Sequence, residues 1–298
     1  CGMTHGGLGF VRLGGGGWVL WRAVSCSEGL CASSAGLGEM ARMGRLFKDS
    51  CSMPPSKKKS IRGRAEGDGA TGLGAVLGEL ERRGTRAQVR ALDRYGIVAA
   101  EPFGVAVGVL KSMAKGLGTD HGLALQLWAT GRYEARMLAT MIDDPGDVTL
   151  AQLNAWSAEF DNWAIVDSAC FHLFDRSRYA WRMVPQWAKA KLEFRKRAAF
   201  ALIWSLSVHD KKAPNRSFLE GLKLIEAAAE DERNFVKKAV NMALRATGKR
   251  NLVLHAAALR ASARLAESED ATARWIGRHA LRELSSSAVR KRLDSKSC

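Results

Sequence analysis

Asp167 lies in FDNWAIVDSAC, residues 160–170, four positions after Trp163. Residues four apart share a helix face, so the carboxylate and the indole point the same way. Their neighbours Val166, Cys170 and Phe171 are apolar, and desolvating a lone carboxylate is costly. The position therefore needs a permanent partner or a cationic visitor. Two readings follow. In the structural one, Trp163 is a core aromatic and Asp167 pairs with a base such as Arg197. In the chemical one, something cationic visits the carboxylate, beside a flat aromatic face that attracts cations.

The elements that must position these residues are helices. From about residue 74 onward, PFGVAVGVLKSMAKGL, HGLALQLWATGRYEARMLATMI, VTLAQLNAWSAEF, SFLEGLKLIEAAAE and NLVLHAAALRASARLA carry apolar residues at three- and four-residue steps. Short breaks such as DDPGD and KKAPN separate them. GLGAVLG at 72–78 has the look of a dinucleotide fingerprint, but no strand precedes it, so it reads as a helix start.

An aromatic followed three residues later by a base recurs as Tyr133/Arg136, Phe194/Arg197, Phe235/Lys238 and Trp275/Arg278, with Trp163/Asp167 as the variant. Between the charged members the steps are 31, 30, 41 and 40 residues. Such periods indicate stacked helix pairs, an all-α HEAT-like solenoid in which equivalent positions line one surface.

Charge is segregated. Residues 179–260 hold 17 Lys and Arg against 7 Asp and Glu, whereas residues 101–178 hold 6 against 10. On successive repeats, Lys189, Lys191, Arg195, Lys196, Lys237, Lys238, Arg245, Lys249 and Arg250 are expected to track a phosphate backbone. The net charge of +16 likewise favours a polyanionic partner. No apolar run approaches the ~18 residues of a membrane span, and no amphipathic helix stands apart to bind an acidic membrane. The six cysteines form no CxxC, and the six histidines are scattered, so neither a zinc site nor a disulfide framework is expected. Reduced thiols and a bacterial cytoplasmic location fit this usage.

Residues 1–70 are rich in Gly, Ser and Cys without sustained apolar periodicity and read as a poorly ordered tail. Met53 opens MPPSKKKSIRGR, a plausible native start, so residues 1–52 read as upstream sequence or a remnant. The expected organisation is a tail over 1–70, a repeat domain over 71–292 and a short tail over 293–298.

Over residues 95–290 the sequence resembles the DNA alkylation repair (AlkD-like) glycosylases. The resemblance rests on LWATGRYEARMLATMI at 127–142, NWAIVDSAC at 162–170, WAKAKLEFRKRAAFAL at 187–202 and ERNFVKKAVNMALRATGKRN at 232–251, in order and at similar spacing. It implies excision of N3- and N7-alkylated purines from double-stranded DNA, without metal or diffusible cofactor. The family's Trp-x-x-x-Asp pair falls on Trp163 and Asp167, its arginine on Arg197 with Phe194 as the preceding aromatic, and its third aromatic on Met242. The last is a departure, since Met gives polarizable bulk without a π face. An alkylated purine already carries positive charge, so one carboxylate suffices where glycoside hydrolysis ordinarily needs two. The alternative is a non-catalytic helical module that binds nucleic acid or a protein partner. A monomer is expected in either case.

Overall fold

The computed structural model describes residues 8–13, 17–22, 72–99 and 101–295. Backbone contacts divide the chain into two units, Cys1–Ala70 and Thr71–Cys298. In the first unit, β1 (Leu8–Leu13) and β2 (Gly17–Arg22) pair antiparallel, Leu8 opposite Arg22 and Leu13 opposite Gly17. The sequence reading assigned no strand here. LGFVRL and GWVLWR are short runs of strand-forming residues. The suggested start at Met53 and the rest of the tail lie outside the described residues, as do Cys1, Cys26, Cys31, Cys51 and Cys298.

The second unit is all-α, with fourteen α-helices among the described residues. They are α1 (Leu73–Arg83), α2 (Arg86–Arg94), α3 (Val107–Leu117), α4 (His121–Ala129), α5 (Tyr133–Ile142), α6 (Leu150–Ala158), α7 (Trp163–His172), α8 (Ala180–Ala188), α9 (Glu193–His209), α10 (Asn215–Ala227), α11 (Asn234–Gly248), α12 (Leu252–Ala266), α13 (Ala271–Leu284) and α14 (Ser287–Asp294). GLGAVLG does open a helix. The last helix runs to Asp294, slightly past the boundary read at 292.

Two long runs read as single helices are broken. In HGLALQLWATGRYEARMLATMI the break is Gly131, whose φ of +72° separates α4 from α5. A left-handed residue ends a helix, and glycine adopts that conformation without a Cβ penalty. In PFGVAVGVLKSMAKGL the first residues stay outside the helix, where buried Glu134 takes up their amides. Its carboxylate accepts from Phe103 N at 2.8 Å, Gly104 N at 2.7 Å and Val105 N at 3.1 Å.

The helices stack in the expected pairs. A front row of α5, α7, α9, α11 and α13 packs each member on the next, while α4, α8, α10 and α12 back onto α5, α9, α11 and α13. The aromatics of the sequence repeat stand at the starts of the front-row helices: Tyr133, Trp163, Phe194 and Phe235 in the first two residues, Trp275 one turn in.

The middle of the front row is the densest layer. Every residue of α9 from Arg197 to Ser207 is buried, as is α7 from Ala164 to Phe171. The small Ala198, Ala199 and Ala201 let the helices approach closely, so that Cys170 Sγ lies 3.6 Å from the Ala198 carbonyl. Phe171 packs edge-on against Trp204 with centroids 4.4 Å apart. A fully buried ring of this kind contributes about 1.5–3 kcal/mol.

A candidate nucleic-acid interface on the front row

Asn162 sets the start of α7. Its Oδ1 accepts from Ala164 N at 3.1 Å and Ile165 N at 3.0 Å, satisfying two amides that the first turn leaves open. Trp163 is thereby the first helical residue, and Asp167 follows one turn later on the same face.

Arg197 meets Asp167 from α9. Its Nε donates to Oδ1 at 3.0 Å and its Nη2 to Oδ2 at 2.7 Å. Nη1 donates to the Phe235 carbonyl of α11 at 2.9 Å. The two side chains are 4% and 3% exposed. Burial pushes the Asp167 carboxyl above its ordinary value, and the forked guanidinium offsets only part of that rise. The guanidinium carbon is also 5.9 Å from the Trp163 ring centroid. Burial, aided by Asp167, holds the Cys170 thiol well above its usual value, which leaves that sulfur unreactive.

The rim of this pair is aromatic. Phe194 and Phe235 lie 5.3 Å apart, centroid to centroid. The turn after α2 closes over them: Trp163 Nε1 donates to the Tyr95 carbonyl at 2.9 Å, and a Cβ on Gly96 would sit 3.9 Å from Phe235 Cζ. Gly96 has a φ of +64° and ends α2, with Ile97 N bonded to the Leu92 carbonyl at 3.0 Å.

The structure thus brings together Trp163, Asp167, Arg197 and Phe194. Met242 sits further along α11 than the Phe235 carbonyl that Arg197 reaches. Met242 is seven residues after Phe235 on α11, about 10 Å along the axis at 1.5 Å per residue. The aromatic that borders the pair is Phe235. Sequence reasoning had placed Phe235 in the repeat but not in the site. Nothing in the sequence signalled the Tyr95–Gly96 turn.

The basic residues divide into two groups. Lys189 and Lys191 are exposed on the loop before α9. Arg195 reaches Asn154 Oδ1 at 2.8 Å while remaining half-buried, and Lys237 lies 5.3 Å from the Trp275 ring. Lys238 is half-buried, its pKa lowered by burial and by Arg197 and Lys237. These can meet a phosphate backbone.

Others assigned to that backbone are occupied elsewhere. Arg245 is 6% exposed and pairs with Glu283 at 2.6 Å, and Lys249 joins the same carboxylate at 2.5 Å. Burial pushes the Glu283 carboxyl up, but Arg245 and Lys249 outweigh it and leave it below its ordinary value. Arg250 spends its guanidinium on the carbonyls of Ser207, Asp210 and Ala213. Lys196 is bonded to Asp231 at 2.8 Å. In the first repeat Tyr133 is buried, and Arg136 turns to Glu159 at 2.6 Å and to the Trp128 ring, so this pair does not share the front surface. The physical reason is common to all of them: a buried or half-buried cation is retained only with a carboxylate or carbonyl partner.

A family model described as DNA alkylation repair enzyme matches residues 76–284. The chain belongs to this family. Its fold is that of the HEAT-like repeats. A solved structure from a family related to the HEAT-like repeat DNA glycosylases, with affinity for branched DNA structures, superposes with a TM-score of 0.63 at 20% identity. That similarity covers 74% of this chain and 96% of the other. No curated protein matches the sequence. For this member of the DNA alkylation repair family, no helix among the described residues is long and apolar enough to cross a membrane.

Proposed function

We propose that this protein binds duplex DNA across the front row and hydrolyses the N-glycosidic bond of cationic N3- or N7-alkylated purines. The supporting observation is the pair formed by Asp167 and Arg197 beneath Trp163. Buried ion pairs seldom improve stability over apolar packing, so one kept at the centre of a helical layer calls for another role. As the bond breaks, the purine leaves with the bonding electrons and becomes neutral, and positive charge passes to the deoxyribose. A carboxylate held ionised by Arg197 would stabilise that charge. Water then adds at the sugar carbon and gives up a proton, leaving an abasic site. Trp163 offers its ring to the cationic base, an attraction of roughly 0.5–2 kcal/mol. For this chemistry Arg197 must yield one carboxylate oxygen, and the Tyr95–Gly96 turn must move off Trp163.

Release of N7-methylguanine and N3-methyladenine from alkylated duplex DNA tests the reading. Asp167→Asn is expected to keep DNA binding and lose about a hundredfold or more in excision. Equal excision by the variant and the wild type would remove Asp167 from the mechanism.

One observation favours a second reading, a DNA-binding member that cuts nothing. Asp167 is 2% exposed with both oxygens already bonded. The solved relative's described property, affinity for branched DNA, is in keeping with it. Salt-sensitive DNA binding with no base released by the wild type would select this reading.

A further inference from the structure

We propose that the Trp275–His279 face of α13 is a binding site for an unpaired nucleobase of DNA. The inference rests on the front row being a DNA-binding surface and adds a preference among DNA forms. Trp275 is 36% exposed, whereas Trp128, Trp156, Trp187 and Trp204 are all 6% exposed or less. Leaving so large a ring in water forfeits the burial that the others gain.

The imidazole of His279 lies under that ring at 5.3 Å and 24°, close to parallel. It is 8% exposed, yet its Nδ1 has no hydrogen-bond partner among the described residues. An orphaned buried nitrogen is costly and is rare without a reason. Together with Arg274, Arg278 and Arg282, these two rings line a shallow cavity of about 270 Å³. Arg274 is tied to the carbonyls of Ser268 and Glu269 at 2.7 and 3.0 Å. Arg278 and Arg282 make no ion pair among the described residues.

This combination selects its ligand. A phosphate alone would use the arginines and leave the indole and imidazole idle. A paired base hides both its faces and its Watson–Crick edge. An unpaired base presents a face to Trp275 and its own phosphate to Arg278 and Arg282. Stacking of this kind tolerates any base. Lys237, above the ring, is a flexible side chain that can move from the indole to a neighbouring phosphate.

The test compares a blunt duplex with the same duplex carrying a short oligothymidine arm, for the wild type, Trp275→Leu and Trp275→Phe. The wild type is expected to prefer the armed duplex by about tenfold, with its tryptophan fluorescence quenched on binding. Trp275→Leu should lose the preference and that quenching while holding the blunt duplex as before, and Trp275→Phe should keep part of the preference. A wild type that binds both duplexes equally, or a Trp275→Leu variant that weakens both alike or neither, overturns the inference and leaves the proposed function standing. A wild type that binds no DNA overturns both.

Discussion

Arg197 holds both carboxylate oxygens of Asp167, at 3.0 and 2.7 Å, inside a layer where neither side chain is more than 4% exposed. The energetic consequence is asymmetric. Removing one partner strands a buried charge, whereas removing both leaves apolar volume to be refilled.

Arg197→Met should therefore destabilise the protein by about 3–5 kcal/mol, and adding Asp167→Leu should recover most of the loss. Urea denaturation of the single and double variants measures this. A silent Arg197→Met would mean that the pair is solvated rather than enclosed.

The two groups of bases should respond differently to charge removal. Neutralising Lys189 and Lys191 should leave the melting temperature unchanged and weaken DNA binding, lowering the salt dependence by roughly 0.9 per base removed. Glu283→Gln should do the reverse. It deprives buried Arg245 and half-buried Lys249 of their shared carboxylate, so the melting temperature falls. Thermal melts paired with salt titrations of binding separate the two.

Acid should destabilise the fold through His172 and His279. Burial, reinforced by nearby bases, lowers them to about 3 and about 4 respectively. For His279 those bases are Arg245 and Arg282, with Glu283 opposing. Both imidazoles are kept neutral by folding, so their contribution is complete above the unfolded value of about 6.5 and is lost as pH falls below it toward the folded values. His279→Leu should flatten the decline in melting temperature between pH 6.5 and about 4. An unchanged profile would exclude His279 as a contributor.

Helix α2 should be the least protected helix of the repeat unit. It has no buried residue, and its ends are anchored at Thr85 to Gly104 and at Tyr95 to Trp163. Its amides should exchange much faster than those of α9. Gly96→Ala, which forces a Cβ into the left-handed region, should loosen α2 further at a cost of about 1–2 kcal/mol locally. Slow exchange throughout α2 would show that the turn is firmly seated.

The solenoid was legible in the sequence because each front-row helix carries an aromatic in or just after its first turn, at a recurring interval. The Trp163, Asp167 and Arg197 cluster was legible for the same reason, since equivalent positions on stacked helices become neighbours. What was hidden depends on partners in another repeat. Arg245 looks like any surface base until Glu283, 38 residues away, is placed beside it. Likewise Met242 and Phe235 share a helix, and spacing alone does not say which turn faces Arg197. The break at Gly131 was missed because the apolar periodicity continues across it.

The bond from Arg197 to the Phe235 carbonyl has a mechanical meaning. In a stack where each helix pair leans only on its neighbours, unravelling can halt at any boundary between repeats. One guanidinium here fastens α7, α9 and α11 at once. The boundaries on either side of α9 are thereby riveted, so the three helices should come apart as a block rather than one at a time.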